Sequence, residues 1–160
     1  MEFKITKITN DDLEEVLKIV KEFWGDHRII SQGQVFDAAK LAGFKAVDHN
    51  RIVGILHFEI RDNNCEILTL ASLNNGQGIG SALLDELEAS ARKNKCHKLS
   101  LSTTNDNLHA LGFYQRRGFY LKALLPGQMK GYRKIKPSIP ETGDLGIPIR
   151  DEIRLEKRLA

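Results

Sequence analysis

A glycine-rich turn that leads directly into a helix constrains the fold of this chain more than any other feature of its sequence. Residues 74–81 read NNGQGIGS, and the apolar residues that follow recur at helical spacing: Ile79, Leu83, Leu84, Leu87 and Ala91. Residues 65–73 before the turn and residues 98–103 after the helix both have the composition of β-strands. A strand, a helix and a second strand in this order form a crossover, which predicts a parallel pair of strands.

The strands outside this crossover are predicted to pair in the opposite sense. Residues 43–47, 51–60 and 65–73 are separated only by the short turns DHN and DNN, which predicts an antiparallel meander. Further strands are expected near residues 3–8, over 119–124 and, from the alternation of apolar and charged residues, over 149–159.

Two further helices are predicted beside the one that follows the glycine-rich turn. One covers residues 13–24, after the cap sequence TNDD, and the other runs from residue 106 or 107 to about residue 117. Residues 26–42 are interpreted as irregular, with a short helix around residues 36–41.

The composition limits the classes of protein to which the chain can belong. Of its 160 residues, 41% are hydrophobic and 28% are charged, which is typical of a globular protein, and the net charge is only +3. A small basic cluster is too weak to predict nucleic-acid binding; it comprises Lys130, Arg133, Lys134 and Lys136. No apolar run approaches the ~18 residues of a membrane span, and the first residues do not read as a signal peptide. We therefore expect a cytoplasmic protein without a nucleic-acid or membrane partner, and a homodimer is compatible with the sequence.

The cysteines and histidines do not have the spacing of metal ligands. Cys65 and Cys96 form no CxxC pair. The histidines considered as ligands do not have the spacing of a metal site either: His27, His49, His97 and His109. We therefore expect no metal, and we interpret the two cysteines as small hydrophobic side chains in a reducing compartment.

The glycine-rich turn predicts an anion-binding site. The N-terminus of a helix carries unpaired N–H groups and a partial positive charge, and glycines before it let a phosphate approach the backbone. The sequence lacks the Gly-Lys-Ser/Thr of a mononucleotide loop, and its GxGxG spacing differs from the GxGxxG of dinucleotide-binding proteins. A glycine-rich turn with tight helix–strand packing is the alternative interpretation of the same residues.

A second motif follows at residues 107–119, which read NLHALGFYQRRGF. Together with the turn, it resembles the signature of the GNAT superfamily of N-acetyltransferases: Arg/Gln-x-x-Gly-x-Gly/Ala opens the central helix, and N-x-x-A-x-x-F-Y-x-x-x-G-F leads into the next strand. Gly78 and Gly80 match the first element, and the second matches at Asn107, Ala110, Phe113, Tyr114, Gly118 and Phe119. Asn75 stands where the family usually has Arg or Gln. The tail over residues 136–159 is similar to that of a bacterial, mostly uncharacterised GNAT subfamily.

The resemblance implies a fold, a co-substrate and a set of cofactor-binding residues. The implied fold is α/β (α+β), with a mixed, mostly antiparallel central sheet that has a central parallel pair and is flanked by helices, in one domain of residues 1–160. The co-substrate is acetyl-CoA, whose pyrophosphate would be bound by the backbone of Asn75, Gly76, Gln77, Gly78, Ile79, Gly80 and Ser81. Leu73 would contact the pantetheine arm. Asn107 would contact the cofactor from the start of the next helix, unless it serves only as a helix cap.

Tyr114 occupies the position of the family's general acid, which lies against the cofactor and protonates the departing CoA thiolate. A phenol is protonated at neutral pH and is able to donate this proton. A core aromatic residue beside Phe113 is the alternative interpretation of Tyr114.

Glu66 is our candidate for the general base. We expect Glu66 to share a strand face with Leu68, Leu70 and Ser72, where an apolar setting raises the pKa of a carboxyl group and makes it a better base. A cross-strand surface charge is the alternative interpretation of Glu66.

Other groups near the predicted cleft compete with Glu66 for this role. Glu59 borders the cleft as well, and His57 is expected to share a strand face with Val53, Ile55 and Glu59, where a structural histidine is favoured. Deprotonation through water, without a dedicated base, is a further alternative. An acyl-enzyme on a cysteine is disfavoured because both cysteines are far in sequence from the Tyr114 region.

The sequence therefore predicts an acyltransferase that moves an acetyl group from acetyl-CoA to a primary amine, by direct transfer in a ternary complex. The acceptor is expected to be a small molecule or a peptide, bound by residues 24–42 and the tail, where the sequence shows no motif. The alternative is a non-catalytic module of the same fold that binds acyl-CoA as a sensor.

Overall fold

A computed structural model describes residues 2–159 of the chain. The strands are β1 (Lys4–Lys7), β2 (Arg28–Ser31), β3 (Gln34–Asp37), β4 (Ala42–Asp48), β5 (Arg51–Arg61), β6 (Asn64–Ser72), β7 (Lys98–Thr104), β8 (Tyr120–Leu125) and β9 (Glu152–Arg158). The α-helices are α1 (Leu13–Trp24), α2 (Ile79–Lys93), α3 (Leu108–Arg116) and α4 (Gln128–Ile135).

Seven of the strands within residues 2–159 form one sheet, and β2 and β3 form a separate hairpin. The spatial order of the sheet is β1-β4-β5-β6-β7-β9-β8, so β9 lies between two strands that both precede it in the sequence. Neighbouring strands run antiparallel except for β6 and β7, which are parallel. The predicted fold, a mixed and mostly antiparallel sheet with a central parallel pair and flanking helices, is confirmed.

Two hydrophobic cores lie on opposite faces of the sheet. One packs α2 and α3 against the sheet, and we call this side the α2 face; its residues include Leu83, Leu87, Leu99, Tyr114 and Leu155. The other packs α1 and the β2–β3 hairpin, and we call this side the α1 face; its residues include Val16, Val20, Ile29, Ile55 and Leu68. Each fully buried large aliphatic side chain contributes about 1.5–3 kcal/mol, so both cores stabilise the sheet.

The amphipathic pattern of α2 explains how the helix sits on the sheet. Its apolar stripe is buried, and Arg92 and Lys93 in its last turn suit the negative end of the helix dipole. Gly54 of β5 lets the first turn approach, because an added Cβ there would lie only 2.5 Å from the Cγ2 of Ile79. A side chain at residue 54 would therefore push the start of α2, and the glycine-rich turn with it, away from the sheet.

The sequence predicted that residues 26–42 are irregular, and this prediction is wrong, because they contain the β2–β3 hairpin. The chain turns at Gln32 and Gly33, which have φ of 50° and 80°, and Phe36 packs into the core of the α1 face. The short helix expected around residues 36–41 is present as a 3₁₀ helix of three residues, Ala38–Lys40. The hairpin escaped prediction because a Gln-Gly pair is a weaker hairpin signal than Asn-Gly or Asp-Gly.

The sequence analysis also missed α4, and the last strand is shorter than predicted. Helix α4 contains Gly131 and buries only Met129 and Tyr132, so its apolar pattern is short. The predicted last strand is confirmed as β9, but it begins at Glu152 rather than at residue 149 and lies inside the sheet. The first residue of β9, Glu152, is a buried carboxylate that is only 1% exposed.

A β-bulge changes which residues of β6 share a face. The register between β5 and β6 shifts so that Leu68 has no partner on β5. Leu68 packs on the α1 face, where Glu66 also points, but Leu70 beyond the bulge packs on the α2 face. The prediction that Glu66 shares a face with Leu68, Leu70 and Ser72 is therefore right for Leu68 and wrong for the other two.

A second bulge, between β4 and β5, has a similar effect on β5. Val53 has no partner on β4 and packs on the α2 face, whereas Ile55 packs on the α1 face. The sequence placed both on one face with His57 and Glu59, so this prediction is wrong for Val53.

Candidate active site

The parallel strands β6 and β7 separate along their length. They pair over residues 64–67 of β6 and 98–101 of β7, and within residues 2–159 no pairing between them continues further. Strand β7 stays paired with β9, and β6 stays paired with β5. The centre of the sheet therefore opens into a wedge between residues 68–72 and residues 102–104, where the two strand edges offer unpaired backbone groups.

The glycine-rich turn lies at this wedge, because it directly follows β6 and ends at the first residue of α2. Gly76 and Gly78 both have φ of 76°, a left-handed conformation that other residues rarely adopt. An added Cβ at either glycine would meet nothing within 4 Å, so open space surrounds the turn. Ile79 is 1% exposed and fixes the first turn of α2 in the core. The exposed amides of the turn are thus held ready for an anion at the positive end of α2.

Two more of the predicted cofactor residues border the same opening. Gly80, in the first turn of α2, faces α3, and an added Cβ would lie 3.7 Å from the ring of Phe113. The Leu73 amide donates to the Val53 carbonyl over 2.8 Å. Because hydrogen-bonding groups alternate along a strand, the preceding Ser72 presents its amide to the wedge. Because the Leu73 amide is already used, Leu73 can contact a cofactor only through its side chain; the residue is 39% exposed.

Asn107 forms the N-cap of α3, just after β7. Its Oδ1 accepts a hydrogen bond from the Ala110 amide over 3.1 Å, and its Nδ2 donates to the Thr103 hydroxyl over 3.4 Å. Because the cap uses only the oxygen, an additional cofactor contact through Nδ2 is compatible with the cap.

Tyr114 is buried between two aromatic rings on the α2 face. Its ring makes edge contacts with Phe113 and Phe119, at centroid distances of 5.2 and 5.3 Å, and 6% of the residue is exposed. Burial raises the pKa of Tyr114, so the hydroxyl keeps its proton. The residue is thus both a core aromatic and a protonated phenol, in the helix that packs beside the start of α2.

A chain of polar side chains crosses the α1 face beside the wedge. Ser31 of the hairpin donates to Oε2 of Glu66 on β6 over 2.5 Å, and its oxygen lies 2.8 Å from the Oγ of Ser102 on β7. The side-chain amide of Gln32 donates to the same Glu66 oxygen over 3.2 Å. The tip of the hairpin is thereby held across β6 and β7 at the point where they separate.

A second group of contacts fixes the hairpin tip to α4 and β9. The buried Glu152 carboxylate accepts a hydrogen bond from the Tyr132 hydroxyl over 3.0 Å and one from the backbone amide of Gln32 over 3.1 Å. The Tyr132 hydroxyl also accepts from the Gly33 amide over 2.9 Å, and Arg154 pairs with the other Glu152 oxygen. These contacts satisfy a carboxylate that would otherwise be costly to bury.

Burial raises the pKa of Glu66, as the sequence predicted, although the Ser31 hydrogen bond opposes the shift. Glu59, directly opposite on β5, and Glu152 raise the pKa of Glu66 further, and Arg61 lowers it. A carboxyl group with a raised pKa accepts a proton more readily at neutral pH than an exposed one. Glu59 is paired with Arg61 over 2.9 Å, which makes it the weaker candidate for a base.

His57 and the cysteines lie outside this chain of contacts. The Nδ1 of His57 is 2.7 Å from the Thr69 hydroxyl, and burial lowers the pKa of His57 to about 4, which fits a structural histidine. Burial, followed by the charges of Cys96 and Glu66, raises the pKa of the Cys65 thiol to about 12. A thiol in this state offers no thiolate for an acyl-enzyme.

A polar cavity of about 350 Å³ opens beside Glu66, toward the paired ends of β6 and β7. Its lining residues are Gln32, Gln34, Glu59, Arg61, Asp62, Asn64, Glu66 and Lys98. Both lining cations are already engaged, Arg61 with Glu59 and Lys98 with Glu156. The remaining carboxylates make the cavity better suited to a cationic group than to an anionic one.

The part of the chain that the structure describes, residues 2–159, contains no group of three or more His, Cys, Asp or Glu side chains arranged to hold a metal ion. None of the helices in that part combines the length and the apolar character needed to cross a membrane.

Comparison with known proteins assigns the family. The family profile described as "Acetyltransferase (GNAT) family" matches residues 9–119, which contain both motifs. The chain belongs to the GNAT acetyltransferase family. YxbD, an uncharacterized protein of Bacillus subtilis (strain 168), is 39% identical to this GNAT protein over 140 residues, which cover 87% of this chain and 88% of YxbD.

Solved structures of other GNAT proteins share the fold. A GNAT family acetyltransferase from Elizabethkingia anophelis, with acetyl-CoA bound, superimposes with a TM-score of 0.70 at 23% identity over 98% of both chains. The ribosomal-protein-S18-alanine N-acetyltransferase from Escherichia coli superimposes with a TM-score of 0.74 at 15% identity, over 99% of this chain and 95% of that one. At these identities the likeness establishes the fold of this GNAT protein and not its acceptor.

Sequence reasoning found the candidate residues of the α2 face and missed most of those on the α1 face. The missed residues are Ser31, Gln32, Ser102, Tyr132 and Glu152, which are far apart in the sequence and form no motif. No signal in the sequence brings them together, because their proximity depends on tertiary structure. The hairpin tip crosses β6 and β7, and the strand order places Glu152 of β9 beside β7.

Proposed function

We propose that this GNAT protein transfers the acetyl group of acetyl-CoA to the primary amine of an acceptor, directly, in a ternary complex. The observation that carries the proposal is the wedge, which is bordered by the glycine-rich turn on one side and by the Glu66 network on the other. A thioester in the wedge would be accessible from both faces of the sheet. The family match and the acetyl-CoA bound to the Elizabethkingia relative support the choice of donor.

The α2 face would hold the cofactor. The amides of residues 75–81 would bind the pyrophosphate, because the left-handed Gly76 and Gly78 leave the backbone open to close approach. Ser72 and Leu73 would meet the pantetheine arm, in the way that a peptide adds to the edge of a sheet.

Tyr114 and Glu66 would serve the two proton transfers of the reaction. The neutral amine nitrogen attacks the thioester carbon, the carbon–sulfur bond breaks, and the sulfur takes the proton of the Tyr114 hydroxyl. The phenolate regains a proton from water before the next turnover. The proton that the amine loses ends on Glu66. Burial raises the pKa of the Tyr114 phenol. It would also raise the pKa of the CoA thiol at the same site, so the proton transfer from the phenol to the thiolate stays feasible.

The acceptor would enter from the α1 face, past the hairpin tip and the polar cavity. The carboxylates of Asp62 and Glu66 would attract a protonated amine into the cavity. The amine would lose one proton to solvent there and enter the wedge, past Glu66, as the neutral nucleophile. The Escherichia coli relative, named for N-acetylation of an alanine, supports an amine as the acceptor group. Both a small amine and the N-terminus of a peptide fit this description.

An amine panel tests the proposal. We expect calorimetry to detect acetyl-CoA binding with EDTA present, and we expect at least one amine among amino acids, polyamines and peptides to release free CoA, measured with a thiol reagent. An acetylated product of the expected mass identifies the acceptor. Binding without release across the panel would favour the sensor alternative, and a lack of binding at millimolar acetyl-CoA would overturn the proposal.

A further inference from the structure

Ser102 is the polar residue of the α1-face network that borders the wedge. It directly follows the last β6–β7 pair, which joins Ile67 and Leu101, and it is partly exposed. Ser31, its neighbour in the network, is only 4% exposed. The hydroxyls of Ser102 and Ser31 therefore form a continuous path from the wedge to Glu66, with links of 2.8 and 2.5 Å.

The number of protons fixes the direction of this path. A serine hydroxyl has one proton to donate, and Ser31 donates it to Glu66. In the contact between the two serines, Ser102 is consequently the donor. The Ser102 oxygen then has lone pairs directed away from Ser31 and no further proton to donate. It favours a donor in the wedge, such as the N–H of an amine.

From this arrangement we infer that Ser102 and Ser31 carry the proton of the acceptor amine to Glu66, which itself does not touch the amine. The inference rests on the proposed function. As the bond between the nitrogen and the acetyl carbon forms, the amine proton passes to Ser102, the Ser102 proton passes to Ser31, and the Ser31 proton passes to Glu66. Each serine ends with one proton, as it began, and Glu66 ends neutral.

The surroundings of Glu66 suit the end of such a path. Carboxylates on β5 and β9, those of Glu59 and Glu152, favour proton uptake, while Arg61 on β5 opposes it. The side-chain amide of Gln32 donates to the same Glu66 oxygen that receives the Ser31 hydrogen bond. Glu66 also lines the open polar cavity, through which it can release the proton to solvent after each turnover.

Two simpler arrangements lead to different expectations. In the first, the amine reaches Glu66 directly from the polar cavity, and Ser102 takes no part in the proton transfer. In the second, the two serines only anchor the hairpin tip, so that their loss weakens acceptor binding without changing the transfer step.

Single-turnover kinetics with an acceptor from the amine panel separates these arrangements. We expect Glu66→Gln to lower the transfer rate by roughly 10²–10⁴-fold and Ser102→Ala by roughly 10–100-fold, because water replaces the lost hydroxyl poorly. The double variant should be no slower than Glu66→Gln alone, since groups that act as one unit are not additive. The transfer rate should also be measured in mixtures of light and heavy water. For the native protein, a plot of rate against the deuterium fraction should be curved, because several protons move in one step. For Ser102→Ala the plot should be closer to a straight line.

Two control variants accompany this experiment. Ser100→Ala changes the same residue type two positions earlier on β7, where the Ser100 hydroxyl is buried and has no partner within residues 2–159; it should keep the native rate. Ser102→Thr retains a hydroxyl and should recover most of the rate lost in Ser102→Ala. Acetyl-CoA affinity should stay within about 2-fold of the native value in these variants, because none of the changes lies at the glycine-rich turn.

The outcomes also distinguish this inference from the proposed function. A native rate in Ser102→Ala, or effects that multiply in the double variant, would overturn the serine path and leave Glu66 as a direct base. A change confined to acceptor affinity would reduce the serines to anchors. A native rate in Glu66→Gln would remove Glu66 as the base, and no transfer by the native protein to any amine would overturn the proposed function itself.

Discussion

The two faces of the sheet build their halves of the candidate site by different means. On the α2 face, the glycine-rich turn depends on backbone conformation, and its residues are consecutive in the sequence. On the α1 face, the path from Ser102 to Glu66 consists of side chains from three elements and is held in place by β9 and α4. A site made of backbone is specified locally, whereas a site made of side chains depends on the order of the whole sheet.

Tyr114→Phe tests whether the α2 face contributes chemistry as well as cofactor binding, and it has the largest expected effect. The change keeps the ring packing against Phe113 and Phe119 and removes only the proton-donating hydroxyl. We expect kcat to fall by roughly 10²–10⁴-fold while acetyl-CoA affinity changes only a few-fold. An unchanged kcat, with chemistry shown to be rate-limiting by single-turnover kinetics, would leave Tyr114 with a packing role only.

Strand β9 allows the two faces to be compared on one element. Leu155 is 0% exposed in the core of the α2 face, and Leu155→Ala should lower the free energy of unfolding by about 2–5 kcal/mol. Glu152→Gln removes a charge on the α1 face but keeps the shape and an oxygen for Tyr132 and Gln32, so we expect a loss of about 1–3 kcal/mol.

Denaturant unfolding of both variants gives the comparison directly. If Glu152→Gln proved the more damaging change, the polar network and not the apolar core would dominate the stability of this strand. The amplitude and slope of the transition should match those of the native protein in both variants, since neither change alters the surface exposed on unfolding.

Two glycine variants test the claim that the α2-face site is a matter of backbone conformation. Gly78→Val places a branched side chain at φ of 76°, which costs about 1–3 kcal/mol and should weaken acetyl-CoA binding by roughly 5- to 150-fold. Gly80→Ala is the matched control, because an added Cβ would only touch the Phe113 ring at an ordinary 3.7 Å.

Calorimetry on both proteins decides the point. We expect Gly80→Ala to keep its affinity within a few-fold and to gain up to about 1 kcal/mol of stability from its better helix propensity. Native affinity in Gly78→Val would mean that the phosphates are bound elsewhere.

His57 predicts a pH response that arises on the α1 face, and this is the smallest expected effect. Burial lowers its pKa to about 4 in the folded protein. Between about pH 4 and pH 6.5 the unfolded chain therefore binds a proton that the folded one does not, so stability falls as the pH falls through this range. The loss from about pH 7.5 to about pH 5 amounts to about 2 kcal/mol for this group alone.

Unfolding free energies at the two pH values check this expectation. His57→Gln should lose about 2 kcal/mol less than the native protein on acidification. His49→Gln, which changes a side chain that is 90% exposed, should lose as much as the native protein. An equal loss in all three proteins would mean that His57 is charged in the folded state.

The same contrast between the faces explains what the sequence could predict. The crossover over residues 65–103, the parallel pair and the order of the central helices follow from hydrophobic periods and turn residues, which are local. The turn at Gly76 and Gly78 could be located because a left-handed backbone conformation favours glycine, and glycine is visible in the sequence. The roles of its residues, like those of Tyr114 and Glu66, stay predictions until the variants above are measured.

The parts that could not be predicted depend on contacts between distant residues. The β2–β3 hairpin lacks a strong turn signal, and it is held by contacts to Glu66, Ser102 and Glu152 rather than by its own propensity. The bulge at Leu68 reverses the face pattern of β6 with no marker in the sequence. A period of two residues assigns faces correctly only as long as the strand register is unbroken.

The place of β9 in the sheet has a consequence for how the protein is made on the ribosome. Strands β7 and β8 leave the ribosome before the strand that joins them, so during synthesis β8 is without a neighbour in the sheet. The sheet can close only after β9 has emerged, and Glu152 at its first position is then available to fix the hairpin tip. The α1-face network is thus completed later than the glycine-rich turn, and until then the unpaired edges of β7 and β8 are exposed to faulty strand pairing.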